Sequence, residues 1–223
     1  MSSKITAYID CVSPYSYFGL LYLEKNREKL KLYGVEIEII PVFLGGINVG
    51  TGNKPPWTLP AKAKYSPYDL ARAKKYFGKP NIKTPSFFPI LSLLPGRALN
   101  FIKARYPDLL APVFLEIFSA MWENGKDVSK QDLLAEVLSK HFSEEQVREI
   151  LENANSPLYK QKLNDNTQEA IARGAFGCPW FWVRNSKGVE EPFFGSDRFH
   201  YMWDFLDLPR RHLALGRAEK AKI

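Results

Sequence analysis

The first 42 residues constrain this chain most, because two strand patterns there enclose one helix pattern. Lys4 to Asp10 sets Ile5, Ala7 and Ile9 among Thr6 and Tyr8, so both faces carry strand formers and a buried strand is expected. Val35-Glu-Ile-Glu-Ile-Ile40 alternates strictly and reads as a second strand. Between them Ser13 suits an N-cap and Pro14 a first helical turn. Leu20, Leu21, Leu23 and Leu30 continue the helical stretch until Gly34 breaks it. A strand–helix–strand opening points to layered α/β architectures.

The pattern then changes. Phe43 to Pro60 carries Gly45, Gly46, Gly50 and Gly52 before Asn53-Lys-Pro-Pro56, and reads as a glycine-rich loop. A phosphate-binding loop is excluded: Thr51 stands where lysine is required, and prolines follow instead of a helix. Helical hairpins are expected from about Lys62 to Leu158. Leu110, Val113, Phe114, Ile117, Phe118 and Met121 recur at helical spacing, and Ser129 with Asp132 and Ser143 with Gln146 resemble N-terminal caps. Lys162 to Arg173 reads as a helix stopped by Gly174. Pro179 to Val183 and Val189 to Phe194 read as strands joined by a turn at Asn185-Ser-Lys-Gly188. Ser196 or Asp197 would cap a last helix from Arg198 to about Leu206.

The order is β-α-β, a helical insertion, then α-β-β-α. Without the insertion this is the thioredoxin-type order. The expectation is an α/β fold: a thioredoxin-like domain from residues 1–60 and 160–208, an inserted all-helical domain over 61–159, and a basic tail over 209–223. A chain of 223 residues can bury such a core without covalent staples.

Only two cysteines occur, Cys11 and Cys178, and they form no Cys-x-x-Cys pair. This removes a disulfide framework, a zinc ribbon and a dithiol motif. His141, His200 and His212 show no ligand spacing, so no metal is expected. No apolar run approaches the ~20 residues of a membrane span. Met1 to Asp10 lacks a signal-peptide pattern, so an intracellular protein is expected.

The reactive thiol of a thioredoxin-type fold sits at the start of its first helix, where free N–H groups and the helix dipole stabilise a thiolate. Here that position reads Ser13-Pro14-Tyr15-Ser16. Serine forms no disulfide, so what survives is either a plain helix cap or an anion-stabilising helix end with a hydroxyl at its tip. The latter would suit a thiolate brought by a ligand. Cys178-Pro179 precedes a strand, where the proline is typically cis in such folds. The Cys178 backbone would then pair with a peptide ligand, or the proline simply opens the strand. Ser196 and Asp197 would cap a helix or hold an α-amino group.

Asp10-x-x-Ser-Pro-Tyr-Ser16, Gly52-Asn-Lys-Pro-Pro56, Gly174-Ala-Phe-Gly-x-Pro179 and Gly195-Ser-Asp-Arg198 together resemble the kappa-class glutathione transferases. These belong to the DsbA-like thioredoxin superfamily, as do the 2-hydroxychromene-2-carboxylate isomerases. The resemblance runs from about Lys4 to Leu208. It implies glutathione as cosubstrate, a small electrophile as second substrate, possession of no metal, and a homodimer. Ser13 would hydrogen-bond the glutathione sulfur, with Pro14 and Tyr15 beside it. The Cys178 backbone and a cis Pro179 would meet the peptide, and Ser196 and Asp197 the γ-glutamyl end. Asn53 matches a glutathione-contacting asparagine, and Lys62 would meet a carboxylate. The expected activity is conjugation of the glutathione thiolate to electrophiles, together with reduction of hydroperoxides. The alternatives are a glutathione-dependent isomerase of the chromene-carboxylate type and a non-catalytic thioredoxin-fold binding module. Cys11 and Cys178 read as two buried, inert thiols or as a redox-sensitive pair, and Tyr15, Trp57, Trp180 and Trp182 read as core aromatics or as an electrophile wall.

Residues 210–223 hold Arg210, Arg211, Arg217, Lys220 and Lys222 against Glu219, which is +4 of the chain's +7. They end in Ala221-Lys222-Ile223, similar to the small-basic-aliphatic peroxisomal address. Peroxisomal location is expected, with mitochondrial or cytoplasmic as alternatives. The charge reads as a tail and not as a nucleic-acid surface.

Overall fold

In the computed structural model, which describes residues 2–209, β1 (Ser3–Ile9) is an inner strand of a four-stranded sheet. It pairs in parallel with β2 (Val35–Pro41), from Ser3↔Val35 to Ile9↔Pro41. On its other side it runs antiparallel to β3 (Trp180–Arg184), with Ala7 opposite Phe181. β3 continues through the Asn185–Gly188 turn into β4 (Glu190–Phe194), giving the order β2-β1-β3-β4.

Strand alternation sorts the side chains onto two faces. Ile5, Ala7, Ile9, Phe181 and Val183 join the large core. There they meet Tyr17, Phe18 and Leu20 of α1 (Pro14–Leu32) and Phe114, Ile117 and Phe118 of α5 (Leu110–Trp122). Tyr8 and Trp180 point the other way, into a second cluster with Ile47 of α2 (Leu44–Thr51) and Ala170 of α8 (Pro157–Ala172). Between α2 and α8 the chain forms α3 (Pro60–Tyr76), α4 (Leu93–Arg105), α5, α6 (Gln131–Leu138) and α7 (Glu144–Ala154). Leu99, Leu134 and Ile150 from these helices share the large core with Ile5. The helical segment therefore packs on the sheet through one continuous apolar interior. The described chain closes with α9 (Phe199–Phe205).

Four local expectations are corrected. Phe43 to Pro60 is not loop throughout, because α2 forms inside it, followed by a 3-10 turn over Pro56–Thr58. Its glycines are explained by packing: a Cβ at Gly46 would lie 3.1 Å from the Thr167 methyl on α8, and one at Gly50 2.7 Å from Ile171 Cδ1. Gly52 ends the helix in the left-handed region at φ 72. Second, Ser129 caps nothing. Its hydroxyl donates to Asp127 (2.5 Å), and Lys130 occupies the N-cap of α6. Third, α8 begins earlier than the expected Lys162, at Pro157, with Ser156 as N-cap. Fourth, neither Ser196 nor Asp197 caps α9; the N-cap is Arg198, to whose guanidinium the Asp197 carboxylate is paired. The Ser143–Gln146 capping box is present on both sides. The basic tail and its Ala221-Lys222-Ile223 end lie outside the described residues.

Candidate active site

β1 delivers the chain to the start of α1 through a short turn fixed by Asp10. The Val12 amide donates to Asp10 Oδ1 (3.1 Å) and the Ser13 amide to the Asp10 carbonyl (3.1 Å). This is an Asx-type turn, which sets Ser13 at the N-cap. Ser13 is nearly buried, at 5% exposure. Its Oγ accepts from the Ser16 amide (3.1 Å) and donates to the Cys178 carbonyl (3.0 Å). One hydroxyl thus joins the helix tip to the backbone before Pro179, and the Cys178–Pro179 bond is cis. Pro14 fills the first helical position, where no N–H is needed. The Tyr15 amide, at the second position of α1, and the Cys178 amide lie on the two backbone segments that the Ser13 hydroxyl joins.

Pro179 packs directly on α1. A Cβ at Gly19 would stand 3.3 Å from both Pro179 Cγ and Phe181 Cζ, so a side chain there would push the proline off the helix. The Pro179 carbonyl in turn accepts from the Gly195 amide (3.1 Å), which ties the Ser196–Asp197 turn to the same loop. Ser196 is buried and Asp197 exposed. The Asp197 charge is among those that raise the Tyr15 phenol.

Asn53 reaches this loop from the other direction: its Nδ2 donates to the Phe176 carbonyl (2.5 Å). Four residues later Trp57 meets Phe88 edge-on at 5.0 Å, Phe88 lies 5.3 Å from Trp122, and Trp122 Nε1 donates to the Cys11 carbonyl (2.9 Å). The Asn53–Trp57 segment is thus tied at one end to the Phe176 carbonyl, two residues before Cys178, and at the other to the Phe88–Trp122 ring pair that reaches Cys11. Lys62 is exposed in the first turn of α3, and its ammonium forms no ion pair among the described residues. Two turns on, Asp69 accepts from the Tyr15 hydroxyl (2.7 Å). Burial, then that hydrogen bond, raise the Tyr15 phenol above its ordinary value, so it stays protonated. Trp180 belongs to the second core cluster, and Trp182 packs against that cluster with Arg173 over its ring. Those two are removed from the candidate wall; Tyr15 and Trp57 remain, and Phe88 joins them.

Three residues at the site had no role assigned from sequence: Asp10, Ser92 and Gly19. Asp10 is only 2% exposed. Its Oδ2 accepts from the Leu44 amide (2.7 Å) and the Ser92 hydroxyl (2.7 Å). It therefore pins α2 and the start of α4 to the turn that carries Ser13. Burial pushes its carboxyl up to about 6 against the opposing effect of these donors. The available signal was an aspartate closing a strand three residues before an N-cap serine.

Both cysteines are free and buried. Cys11 sits in the large core and Cys178 in the second cluster, on opposite sides of the sheet. Burial raises both thiols well above their ordinary value, with Asp10 adding to it. This is the environment of inert thiols. Among the described residues no cluster of three or more His, Cys, Asp or Glu is placed to hold a metal, and no helix is long and apolar enough to cross a membrane.

A helix tip, a hydroxyl in place of the thiol and a cis-proline loop facing it define a thioredoxin-fold site of the DsbA type. The model of the DSBA-like thioredoxin domain matches residues 4–207, and the chain belongs to that family. Its relatives narrow this further. Glutathione S-transferase kappa 1 of Caenorhabditis elegans is 30% identical over 93% of this chain and 92% of its own length, and kappa 2 of the same organism is 32% identical over 91% of each. The human kappa 1 enzyme is 28% identical over 89% of this chain and 88% of its own length. At these identities and spans the chain is a member of the kappa class of glutathione S-transferases. Among solved structures, a 2-hydroxychromene-2-carboxylate isomerase superposes with a TM-score of 0.72 at 22% identity, covering 92% of this chain and 94% of its own, which reflects the shared fold.

Proposed function

We propose that this protein binds glutathione across the α1 tip and the Cys178–Pro179 loop and transfers its thiolate to an electrophile. The observation that carries the reading is the Ser13 hydroxyl, held between the Ser16 amide and the Cys178 carbonyl. On binding, this hydroxyl turns its proton from the carbonyl to the ligand sulfur. The Cys178 carbonyl and amide are then free to pair with the glutathione peptide as an added strand. The Tyr15 amide supplies a second donor to the sulfur, and the helix end favours its negative charge. Ser196 and Asp197 receive the γ-glutamyl ammonium and carboxylate, Asn53 contacts the peptide, and Lys62 meets a carboxylate. Such donors lower the thiol pKa and so raise the thiolate fraction at neutral pH.

The thiolate then attacks an electrophilic carbon, forming the carbon–sulfur bond as the leaving group departs with its electron pair. With a hydroperoxide, two glutathiones give the alcohol, water and glutathione disulfide. Tyr15, Trp57 and Phe88 form the aromatic side facing the second substrate. The protein acts as a homodimer, and Ala221-Lys222-Ile223 directs it to the peroxisome. A C-terminal tag that masks Ile223 should abolish that import.

Steady-state conjugation to an aryl halide tests the chemistry. Ser13→Ala should lower kcat/KM roughly 10²-fold, the scale of losing one donor to a developing anion. Equal kcat/KM in both proteins would refute the role of Ser13.

A further inference from the structure

We infer that the solvent face of α3 docks this protein on an anionic phospholipid surface. Between Lys54 and Lys83 the chain carries eight lysines and arginines and a single acid, Asp69. That excess equals the net charge of the whole chain, +7. α3 runs through the middle of this stretch, and none of its 17 residues is buried. Ala63, Ser66, Asp69, Leu70, Ala73 and Lys74 are half-buried and mark the side turned to the protein. They form one stripe at helical spacing. Opposite them stand Lys64, Tyr65, Tyr68, Arg72, Lys75 and Tyr76, all exposed.

The tyrosines are 55%, 63% and 76% exposed in that order, and the Arg72 guanidinium lies over the Tyr65 ring at 5.9 Å. Each exposed tyrosine is amphipathic, an apolar ring with a polar tip. At a bilayer boundary its ring enters the headgroup region while its hydroxyl stays wet, and the adjacent cations meet anionic phosphates. An amphipathic helix with a basic, aromatic outer side lies flat on such a surface. Steering of a small anion to Ser13 does not account for these groups. Asp69 marks the side of α3 turned toward Tyr15; Lys64 and Lys75 stand opposite it at helical spacing, and the Arg72 guanidinium meets the Tyr65 hydroxyl (3.4 Å). Single-stranded nucleic acid is bound in a charged groove with stacking platforms, whereas this face is the convex outside of one helix.

Sedimentation of the full-length protein with vesicles tests the inference. Vesicles of phosphatidylcholine alone and with about 30% phosphatidylserine are compared. Binding to the anionic vesicles that weakens with added salt, and little binding to the neutral ones, is expected. The variant K64Q/R72Q/K75Q should bind the anionic vesicles on the order of 100-fold more weakly, since each cation near the surface contributes about fivefold. Its thermal midpoint should match that of wild type, because all three side chains are on the solvent side. Y65S/Y68S/Y76S should also bind more weakly while keeping the salt dependence. Equal binding to both vesicle types, no binding, or unchanged binding by K64Q/R72Q/K75Q would overturn the inference. So would tighter capture of single-stranded RNA than of vesicles at the same salt. Concentration-dependent self-association lost in the glutamine variant would also overturn it, assigning the face to the groove of a second copy lined by Asp132, Glu136, Glu144 and Glu152.

Discussion

At the scale of single residues, the proposed site rests on a hydroxyl and two backbone segments, and the proposal takes its sulfur from the ligand. Ser13 was legible in the sequence because serine before proline at a helix start has few meanings. Its bond to the Cys178 carbonyl was not, since 165 residues separate the partners. The thiols were legible as a count but not as chemistry: burial on opposite sides of the sheet makes them inert. Titration of the native protein with a thiol reagent should therefore find neither Cys11 nor Cys178 reactive until denaturant is added. Cys178→Ala should leave conjugation within about twofold of wild type, because the proposed pairing with the ligand uses its backbone. Rapid modification of either thiol in the native state would contradict this placement.

At the scale of elements, the strands and the Ser13 and Ser143 caps followed from local pattern, and the misreadings have different causes. α2 resembles a loop because Gly45, Gly46 and Gly50 depress helix propensity. Tertiary contact overrides this, as the Asp10 carboxylate receives the Leu44 amide and α8 leaves no room for side chains. Ser129 looked like a cap until Asp127 captured its hydroxyl. Gly19 gave no signal at all, because its role is to let Pro179 approach α1. Gly19→Val should cost about 1–3 kcal/mol in urea unfolding through overpacking and should also raise KM for glutathione by displacing the Pro179 loop. Ser143→Ala, by contrast, removes a capping box far from that loop. It should cost about 1 kcal/mol with kcat and KM unchanged.

At the scale of the whole molecule, charge is divided among distinct uses. Counting located the basic tail, but the larger concentration between Lys54 and Lys83 acquires meaning only when α3 is seen to turn half of it outward. Asp10 and Glu38 contribute opposite limbs to the acid response, and Glu123, where burial is outweighed by Tyr17 and Lys79 holding the carboxyl down, adds to that of Glu38. The Asp10 carboxyl is raised from 3.8 to about 6, so the folded state holds its proton more tightly than the unfolded chain. That contribution to stability is fully present below about pH 4 and is lost as pH rises through 6. For Glu38 burial opposes ionisation, but Lys103 (2.7 Å) and Lys4 (2.6 Å) prevail and bring the carboxyl down to about 2. Its contribution is present above about 4.5 and is lost as pH falls toward 2. Urea midpoints measured against pH should therefore fall on both sides of a maximum between about pH 4 and 5 from these two groups. Glu38→Gln should shrink the acid limb without touching the other, and Asp10→Asn should flatten the limb between about 4 and 6 alone.

The measurement that bears most directly on the whole account is the ultraviolet thiolate absorbance of bound glutathione, followed against pH for wild type and Ser13→Ala. Bound to wild type, the thiol should ionise well below its value in free solution. The alanine variant should raise that pKa by about 1–2 pH units, the worth of one hydrogen bond to a charged group. A bound thiol that titrates as free glutathione does, or a pKa indifferent to Ser13, would leave a binding module with no thiolate chemistry and contradict the reading of this site as a transferase centre.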